Sequence, residues 1–375
     1  MMTDLEVLLL LNYIPNCDAR GVRLLLDAVG EVRDIVSDDN LEFISKTSNF
    51  GGRFVKSIRD GLKKFDVKKE ISELEKQSIN VISFLDENYP ADLLEIHDPP
   101  VLLYVKGDMT PSDDYCLSIV GSRNASFYGL EMAEGLAFDL ASRGITIVSG
   151  MAQGIDSSAH QGALRGGGRT IAVLGSGVDV IYPPDNKKLY ESIVRHGAVV
   201  SEFPLKTKPF SYNFPKRNRI ISGISKGTVV VEAAKRSGSL ITARLALEQG
   251  REVYSVPGKA DSVRSQGTNN LIKEGARLIT SADEIIEELF PDMLEGNSVV
   301  HNESRRFDSK GEKKLNTLEH KVMSCLSSKP MHADQIAGYT DISVAKIYSV
   351  LTHLEVIHKV KKSFGGGYVR EKEKV

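Results

Sequence analysis

Short apolar runs alternate with segments of helical periodicity between residues 116 and 290. Runs of this length with little internal alternation are typical of strands buried on both faces of a parallel sheet. Strands separated by helical patterns predict βαβ units, so we expect an α/β fold with one doubly wound sheet and helices on both faces. About seven strands are expected, at 116–120, 145–149, 170–175, 198–201, 228–233, 252–256 and 277–280.

The chain before this region is predicted to be helical. Leu and Val recur at helical spacing in 5–14, 21–30 and 54–62, which indicates a small helical domain over residues 1–78. Its run 7–14 is too short to span a bilayer, and we interpret it as the buried face of a helix. The domain could hold a DNA backbone through helix N-termini, or serve only for packing and interaction. Residues 81–110 are expected to add one strand to the sheet domain, 79–290.

The chain after the sheet domain divides into a linker and a third domain. Residues 291–313 are polar and lose all periodicity, as is typical of a linker. Three helical patterns and a Gly-tipped hairpin follow in 314–375, which is the plan of a winged helix. This domain could bind DNA or another protein. Residues 313–375 hold eleven basic and six acidic residues, but the predicted recognition helix carries only Lys346 as a cation.

The chain as a whole has no excess of basic residues, so any nucleic-acid site must be confined to one part of it. The 375 residues carry a net charge of −2, from 48 Lys and Arg against 50 Asp and Glu, as expected for a soluble globular protein. The three cysteines, Cys17, Cys116 and Cys325, form no CxxC pair. A structural zinc site or disulfide framework is therefore not expected, and a reducing, cytoplasmic location fits.

The segment 205–219 is strongly basic, although the chain as a whole is nearly neutral. It holds five basic residues, three aromatic residues and no acid. Basic side chains neutralise phosphates, and aromatic faces stack on unpaired bases. A solvated charge run is the alternative interpretation. Successive cations over 216–219, at the start of a predicted helix, oppose the helix dipole and favour an anion site.

Three Gly-rich loops follow predicted strands, at 121–129, 149–156 and 175–179. Glycines let backbone N–H groups approach phosphate oxygens, and strand-to-helix loops converge at one edge of a parallel sheet. These loops predict a phosphate-binding crevice, to which Arg123 would add a bidentate donor. The GxGxxG fingerprint and the P-loop are both absent from the sequence, so we expect no nucleotide cofactor.

Signatures of catalysis and of metal binding are weak. The sequence has no GxSxG nucleophile elbow after a predicted strand and no HExxH motif. Asp156 and His160 would share a helix face and could ligate a metal or act as acid and base, but we expect Asp156 to cap that helix and His160 to pack or pair locally. The turn 237–239 could offer hydroxyl and N–H groups to a phosphate.

The chain resembles the DprA/Smf family of DNA-processing proteins. The resemblance is carried by motifs in order along 115–280, among them GSRNASFYG, IVSGMAQGIDSSAHQGAL, FPKRNRIISGIS and GTNNLIKEGA. It implies an extended Rossmann-like domain with a helical SAM/HhH-like domain before it and a winged-helix domain after it.

The resemblance also implies a function without catalysis, and from the residue patterns we expect neither a cofactor nor a metal. Family members bind incoming single-stranded DNA in natural transformation, protect it, and help load a RecA-class recombinase, as homodimers. We expect no membrane partner for this chain. By similarity, we expect Arg123 and Lys216 to be the strongest phosphate contacts and Phe214 to stack on a base. The full set of expected DNA-binding residues is Gly121, Ser122, Arg123, Asn124, Gly154, Phe214, Lys216, Arg217, Asn218, Arg219, Ser237, Gly238 and Ser239.

Two other functions compete with this one. A related Rossmann-like group cleaves nucleoside monophosphates and carries the signature PGGxGTxxE, of which this chain retains only Glu232. A carboxylate without the phosphate-gripping loop ahead of it would lack the positioning that catalysis needs. The third possibility, a duplex-binding regulator led by residues 313–375, would have to read bases with a helix poor in base-reading side chains.

Overall fold

The structure is a computed structural model that describes residues 2–15, 17–47, 51–296, 322–323, 325–326, 331–340, 344–356, 359–362 and 367–370. Contacts divide the chain into two compact units, Met1–Val299 and Val300–Val375.

The first unit begins with five helices whose core is continuous with the sheet that follows. Thr3 caps the first helix, and Val7–Leu11 are all buried within it, so the predicted buried helix is confirmed. The apolar side chains of these helices and those of one sheet face form one cluster. A separate domain ending at residue 78 stays a prediction. The helices are α1 (Asp4–Tyr13), α2 (Ala19–Val29), α3 (Asp38–Thr47), α4 (Gly51–Lys64) and α5 (Val67–Lys76).

One nine-stranded sheet organises the rest of this unit. Its order is β1-β2-β6-β5-β4-β3-β7-β8-β9. The strands from β3 onward are parallel, and the seven predicted strands are confirmed. The single extra strand expected in 81–110 is wrong, because two strands lie there and pair antiparallel at the edge. The strands are β1 (Ile79–Ser83), β2 (Leu102–Gly107), β3 (Cys116–Val120), β4 (Thr146–Ser149), β5 (Thr170–Val173), β6 (Gly197–Ser201), β7 (Gly227–Val230), β8 (Glu252–Ser255) and β9 (Arg277–Leu278).

Helices cover both faces of the sheet. These are α6 (Ala91–Leu94), α7 (Phe127–Ser142), α8 (Ile155–Arg165), α9 (Lys187–His196), α10 (Asn213–Ile224), α11 (Ser239–Glu248), α12 (Gln266–Lys273), α13 (Ala282–Leu289) and α14 (Pro291–Gly296). On one face, α7, α8 and α13 bury their apolar side chains together. The opposite face packs against α10, α11 and the N-terminal helices. The predicted linker 291–313 starts with a helix, because α14 occupies its first six residues, and the rest of it lies outside the described residues.

The strand order reverses at β3. From β3 the chain proceeds through β4 and β5 to β6 on one side, and then crosses to β7 on the other side of β3. Loops that leave the carboxyl ends of neighbouring strands on the two sides of such a switch point diverge and leave a crevice between them. The fold therefore places its ligand site beside the loops after β3, β4 and β7.

The second unit contains α15 (Ala333–Thr340), α16 (Val344–Val356), β10 (Val360–Lys362) and β11 (Tyr368–Arg370). The two strands pair antiparallel, and the helices bury Ile336, Ile347 and Leu351 in a small separate core. This is the predicted winged-helix plan, although most of its first predicted helix, 315–328, lies outside the described residues. In both units, the helices that the structure describes are too short or too polar to cross a membrane.

Candidate nucleic-acid interface

The loop after β3 is held in place by the end of β7. The backbone N–H of Ser122 donates to the carbonyl oxygen of Glu232 at 2.7 Å, and the Ser126 hydroxyl donates to the Glu232 carboxylate at 2.6 Å. The Ser126 N–H donates to the same carboxylate at 3.2 Å. Glu232 is buried, and its charge is compensated by these donors and by the Arg264 guanidinium, whose Nε lies 3.9 Å from the carboxylate. Its carboxylate anchors the loop that carries Arg123.

The loop after β4 packs closely against the same loop. Gly154 has φ +87°, and a Cβ at this position would lie 2.4 Å from the carbonyl oxygen of Ser122. The N–H of Ile155 donates to that oxygen at 3.2 Å. Only glycine accepts both this dihedral and this approach without strain. Gly154 therefore supports the Arg123 loop.

Between these loops and the start of α10 lies a cleft of about 850 Å³, which we call the first cleft. Its lining includes Gly121, Ser122, Arg123, Asn124, Gln153, Asp156, Tyr182, Phe214, Arg217, Asn218, Ile221, Ser237, Gly238, Ser239 and Thr242.

Two arginines flank one aromatic ring in this cleft. The guanidinium carbon of Arg123 lies 5.3 Å from the centroid of Phe214, and that of Arg217 lies 5.9 Å from it. Phe214 is half-buried, and the Tyr182 ring lies 5.7 Å away at a tilt. Arg123 is exposed, and among the described residues it makes no ion pair. Its charge is therefore available to a bound anion.

Arg217 is the buried counterpart of Arg123. Its Nη1 donates to the carbonyl oxygens of Gly150, at 3.0 Å, and of Val173. Burial lowers the pKa of Arg217 to about 10, against the opposing effect of the Asp156 carboxylate. Burial likewise raises the pKa of Asp156, which Arg217 opposes. Arg217 is thus a fixed cation at neutral pH.

The N-terminus of α11 completes the cleft. The helix begins at Ser239, and the Ser237 and Ser239 hydroxyls lie 2.8 Å apart at its start. The dipole of a ten-residue helix places partial positive charge at this end, beside the two hydroxyls. The site therefore combines two guanidinium groups, a helix N-terminus and aromatic rings, which suits a phosphate chain that carries unpaired bases.

Asp156 and His160 do not form a metal site together. The His160 ring donates to or accepts from the Thr170 hydroxyl at 2.7 Å, which confirms that it pairs locally. Burial lowers its pKa to about 3. The expected cap by Asp156 is wrong: Gly154 is the N-cap of α8, and Asp156 lies one residue inside the helix and accepts from the N–H of Ala152. No group of three potential ligands occurs in the described parts of the chain.

The basic residues of α10 do not all face the first cleft. Arg219 is buried on another side of the helix, where its Nη2 lies 2.5 Å from a Glu202 oxygen and its Nε lies 2.9 Å from Asp98. The Lys216 ammonium lies 3.5 Å from Glu202 and 5.6 Å from the centroid of Phe203. Both line a different cavity, which we call the second cleft.

The expected DNA-binding residues therefore fall into three groups. Lys216 and Arg219 line the second cleft, and Gly154 supports the Arg123 loop without lining either cleft. The first cleft brings together Gly121, Ser122, Arg123, Asn124, Phe214, Arg217, Asn218, Ser237, Gly238 and Ser239. That these residues bind DNA stays a prediction.

Sequence reasoning missed part of the lining. Tyr182 is 41% exposed beside Phe214, and Gln153 and Thr242 also line the cleft. Gln153 lies in a loop that was expected to bind phosphate, and Thr242 lies one turn after Ser239, so both could have been found. Tyr182 lies three residues after the loop 175–179, and no motif in the sequence distinguishes it.

The fold and site define a Rossmann-like protein with a cationic, aromatic cleft at the switch point of its sheet. The sequence model of the family described as DNA recombination-mediator protein A matches residues 80–290, and that of the DprA winged helix domain matches 309–366. The chain belongs to this family, known as DprA/Smf.

Individual relatives agree with this membership. Protein Smf of Escherichia coli K12 is 48% identical over 224 residues, which cover 60% of each chain. DNA processing protein DprA of Bacillus subtilis is 42% identical over 243 residues, which cover 62% of this chain and 82% of the relative.

Two solved structures are also similar. The X-ray structure of DprA from Streptococcus pneumoniae matches with a TM-score of 0.66 and 36% identity, over 77% of this chain and 98% of the other. DprA from Helicobacter pylori matches with a TM-score of 0.52 and 32% identity, over 57% and 96%; its structure is described in terms of its single-stranded DNA binding mode.

Proposed function

We propose that this protein binds single-stranded DNA in the first cleft, without catalysis, as a cytoplasmic homodimer. It protects incoming strands in natural transformation and helps load a RecA-class recombinase on them. The observation that carries the DNA-binding part is the Arg123–Phe214–Arg217 arrangement, which offers a phosphate donor, a stacking face and a buried cation within one cleft. The single-strand binding described for the Helicobacter pylori relative supports the same assignment.

Two features favour a single strand over a duplex and over catalysis. The cleft presents an aromatic ring between cations, and an unpaired base can stack on such a ring, whereas a paired base cannot. Glu232, the carboxylate that a nucleotide hydrolase would require, is occupied by the Ser126 hydroxyl and N–H groups. It is thereby oriented as a structural anchor.

The test is fluorescence anisotropy of a labelled oligo-dT and a matched duplex across a salt series. It should use the full chain and the compact unit 1–299, because a fragment that lacks α1–α5 would uncover apolar core. We expect a salt-sensitive preference for the single strand that the 1–299 fragment retains. Preference for the duplex, or loss of binding in the fragment, would move the DNA site to the winged-helix unit and contradict the proposal.

Recombinase loading and dimer formation need their own measurements. A RecA-class recombinase should assemble faster on oligo-dT already coated with a single-strand-binding protein when this protein is added. Sedimentation should show a dimer at micromolar concentration. An unchanged assembly rate would remove the loading role, and a strict monomer would remove the dimer, without affecting the assignment of the cleft.

A further inference from the structure

The second cleft lies between the N-terminal helices and the segment that follows β6, and its volume is about 850 Å³. It shares no lining residue with the first cleft. Its floor is the buried pair of Glu202 and Arg219, and Lys216 lies beside that pair. The proposed function does not use it.

The floor holds buried polar atoms that lack a hydrogen-bond partner among the described residues. Glu202 and Arg219 are each 6% exposed, and they pair through Oε2 and Nη2. Glu202 Oε1 and Arg219 Nη1 are buried and have no hydrogen-bond partner among the described residues. Buried polar groups in proteins nearly always have partners, so this pair is suited to a ligand that presents a donor next to an acceptor.

The walls are aromatic and partly exposed. Tyr13 stacks on Phe65 with ring centroids 4.6 Å apart, and Phe210 stacks on Tyr212 at 5.4 Å with an interplanar angle of 6°. All four rings line the cleft. Tyr13 is 41% exposed, Phe210 is 46% exposed and Tyr212 is 69% exposed. Exposed aromatic faces of this kind are stacking surfaces for planar heteroaromatic ligands.

The charges of the cleft argue against a simple anion. Its lining carries four carboxylates against three cations, so a lone phosphate would meet as much repulsion as attraction. The carboxylates are Asp18, Glu70, Asp98 and Glu202, and the cations are Lys206, Lys216 and Arg219. A neutral planar ring with a polar edge fits better. Every DNA base carries a hydrogen-bond donor beside an acceptor on its pairing edge, and single-strand readers contact that edge.

We propose that the second cleft binds an unpaired nucleobase, with its edge on Glu202 and Arg219 and its face on the Phe210–Tyr212 pair. The base belongs either to a DNA strand held in the first cleft or to a free mononucleotide. Only the first case rests on the proposed function. The start of α10 would then serve two sites, since Phe214 and Arg217 face one cleft and Lys216 and Arg219 face the other.

The test uses 2-aminopurine, a base whose fluorescence is quenched on stacking, in two forms: as the free deoxynucleoside monophosphate and as one base within an oligo-dT. The full-length protein should quench both probes if both sources bind, and only the oligonucleotide if the base must come from a strand. The double variant Phe210→Ala/Tyr212→Ala should raise the dissociation constant measured by quenching at least about fivefold. Tyr115→Ala removes a ring that is 41% exposed just before β3, at the amino end of the strands, and should leave the dissociation constant unchanged.

The hydrogen-bonding edge is tested on the ligand, because a substitution in the buried pair would leave its partner charge uncompensated. A competitor that carries thymidine, either as the monophosphate or within an oligonucleotide, should displace the 2-aminopurine probe from this cleft. The same competitor with N3-methylthymidine, which lacks the hydrogen-bond donor, should not displace it. Equal displacement by both would overturn the proposal, as would quenching that survives the double variant. Arg123→Ala separates the two assignments: loss of free-mononucleotide quenching would place the base in the first cleft and overturn the inference. Unchanged oligonucleotide affinity would instead contradict the proposed function alone.

Discussion

Replacement of Arg123 by alanine tests the first cleft with little risk to the fold. The side chain is exposed and contacts Phe214, with 5.3 Å between guanidinium carbon and ring centroid. A cation–π contact at an exposed site contributes about 0.5–1 kcal/mol, so the free energy of unfolding should fall by no more than about 1 kcal/mol. Because the variant stays folded, a loss of DNA binding would come from the missing contact with the strand.

The expected size of that change follows from one charge-assisted contact. A hydrogen bond to a charged group contributes about 1.5–3 kcal/mol, so Arg123→Ala should weaken binding of oligo-dT about 10- to 150-fold at low salt. Each phosphate contact to a single strand contributes about 0.7 to the slope of log affinity against log salt. Between roughly 50 and 200 mM salt, the ratio of wild-type to variant affinity should therefore shrink about 2.6-fold.

Anisotropy titrations at several salt concentrations measure both quantities. Arg195→Ala is the matched control, since Arg195 is an exposed arginine in the last turn of α9, next to the amino end of β6, and does not line the first cleft. It should change neither affinity nor slope. If Arg123→Ala keeps the wild-type slope, or if Arg195→Ala loses as much affinity, the phosphate contact does not lie where the cleft places it.

Three other substitutions have defined outcomes. Gly154→Ala should destabilise the protein by at least about 2 kcal/mol more than Gly250→Ala in urea unfolding, because both positions have positive φ but only Gly154 faces a carbonyl oxygen at clash distance; equal losses would contradict the packing argument. With the pKa of His160 at about 3 in the folded protein, the unfolded chain binds more protons, so stability should fall as pH falls below about 6, by up to about 1.4 kcal/mol per unit. His160→Gln should remove this component, while that of Asp156, whose pKa is raised, has the opposite sign and remains; an unaltered profile would show that His160 does not titrate as described. Lys216→Ala should weaken oligo-dT binding less than about fivefold, because its ammonium lies beside Glu202 outside the first cleft, and a loss as large as that of Arg123→Ala would argue for a strand that crosses both clefts.

The parallel strands could be predicted from the sequence because each is an uninterrupted apolar run, as expected for burial on both faces. The antiparallel edge was missed in part because β2 follows two prolines, Pro99 and Pro100, and β1 alternates irregularly between buried and exposed positions. Neither strand has a strong signal by itself, and each is defined by its pairing with a distant neighbour.

The sequence predicted which loops form the site, but it did not predict which side of α10 each basic residue occupies. A run of cations such as 216–219 does not show how a helix will divide it. Once α10 is known to be a helix, the spacing of Phe214, Arg217 and Asn218 places them on one side, because residues three and four apart are neighbours. The ion pair that turns Arg219 away could not be read from spacing, because Glu202 lies 17 residues earlier on another element.

The position of β3 in the sheet bears on how the chain is made. The Ser118 and Thr228 hydroxyls meet at 2.7 Å across β3 and β7, although 110 residues separate them. A ribosome that adds about 5–20 residues per second needs about 5 to 20 s to cover that interval, during which one side of β3 has no strand beside it. Helix α11, whose N-terminus closes the first cleft, emerges later still. A growing chain therefore cannot form this cleft until nearly two thirds of the protein has been synthesised, so a nascent chain cannot hold a nucleic acid there before that point.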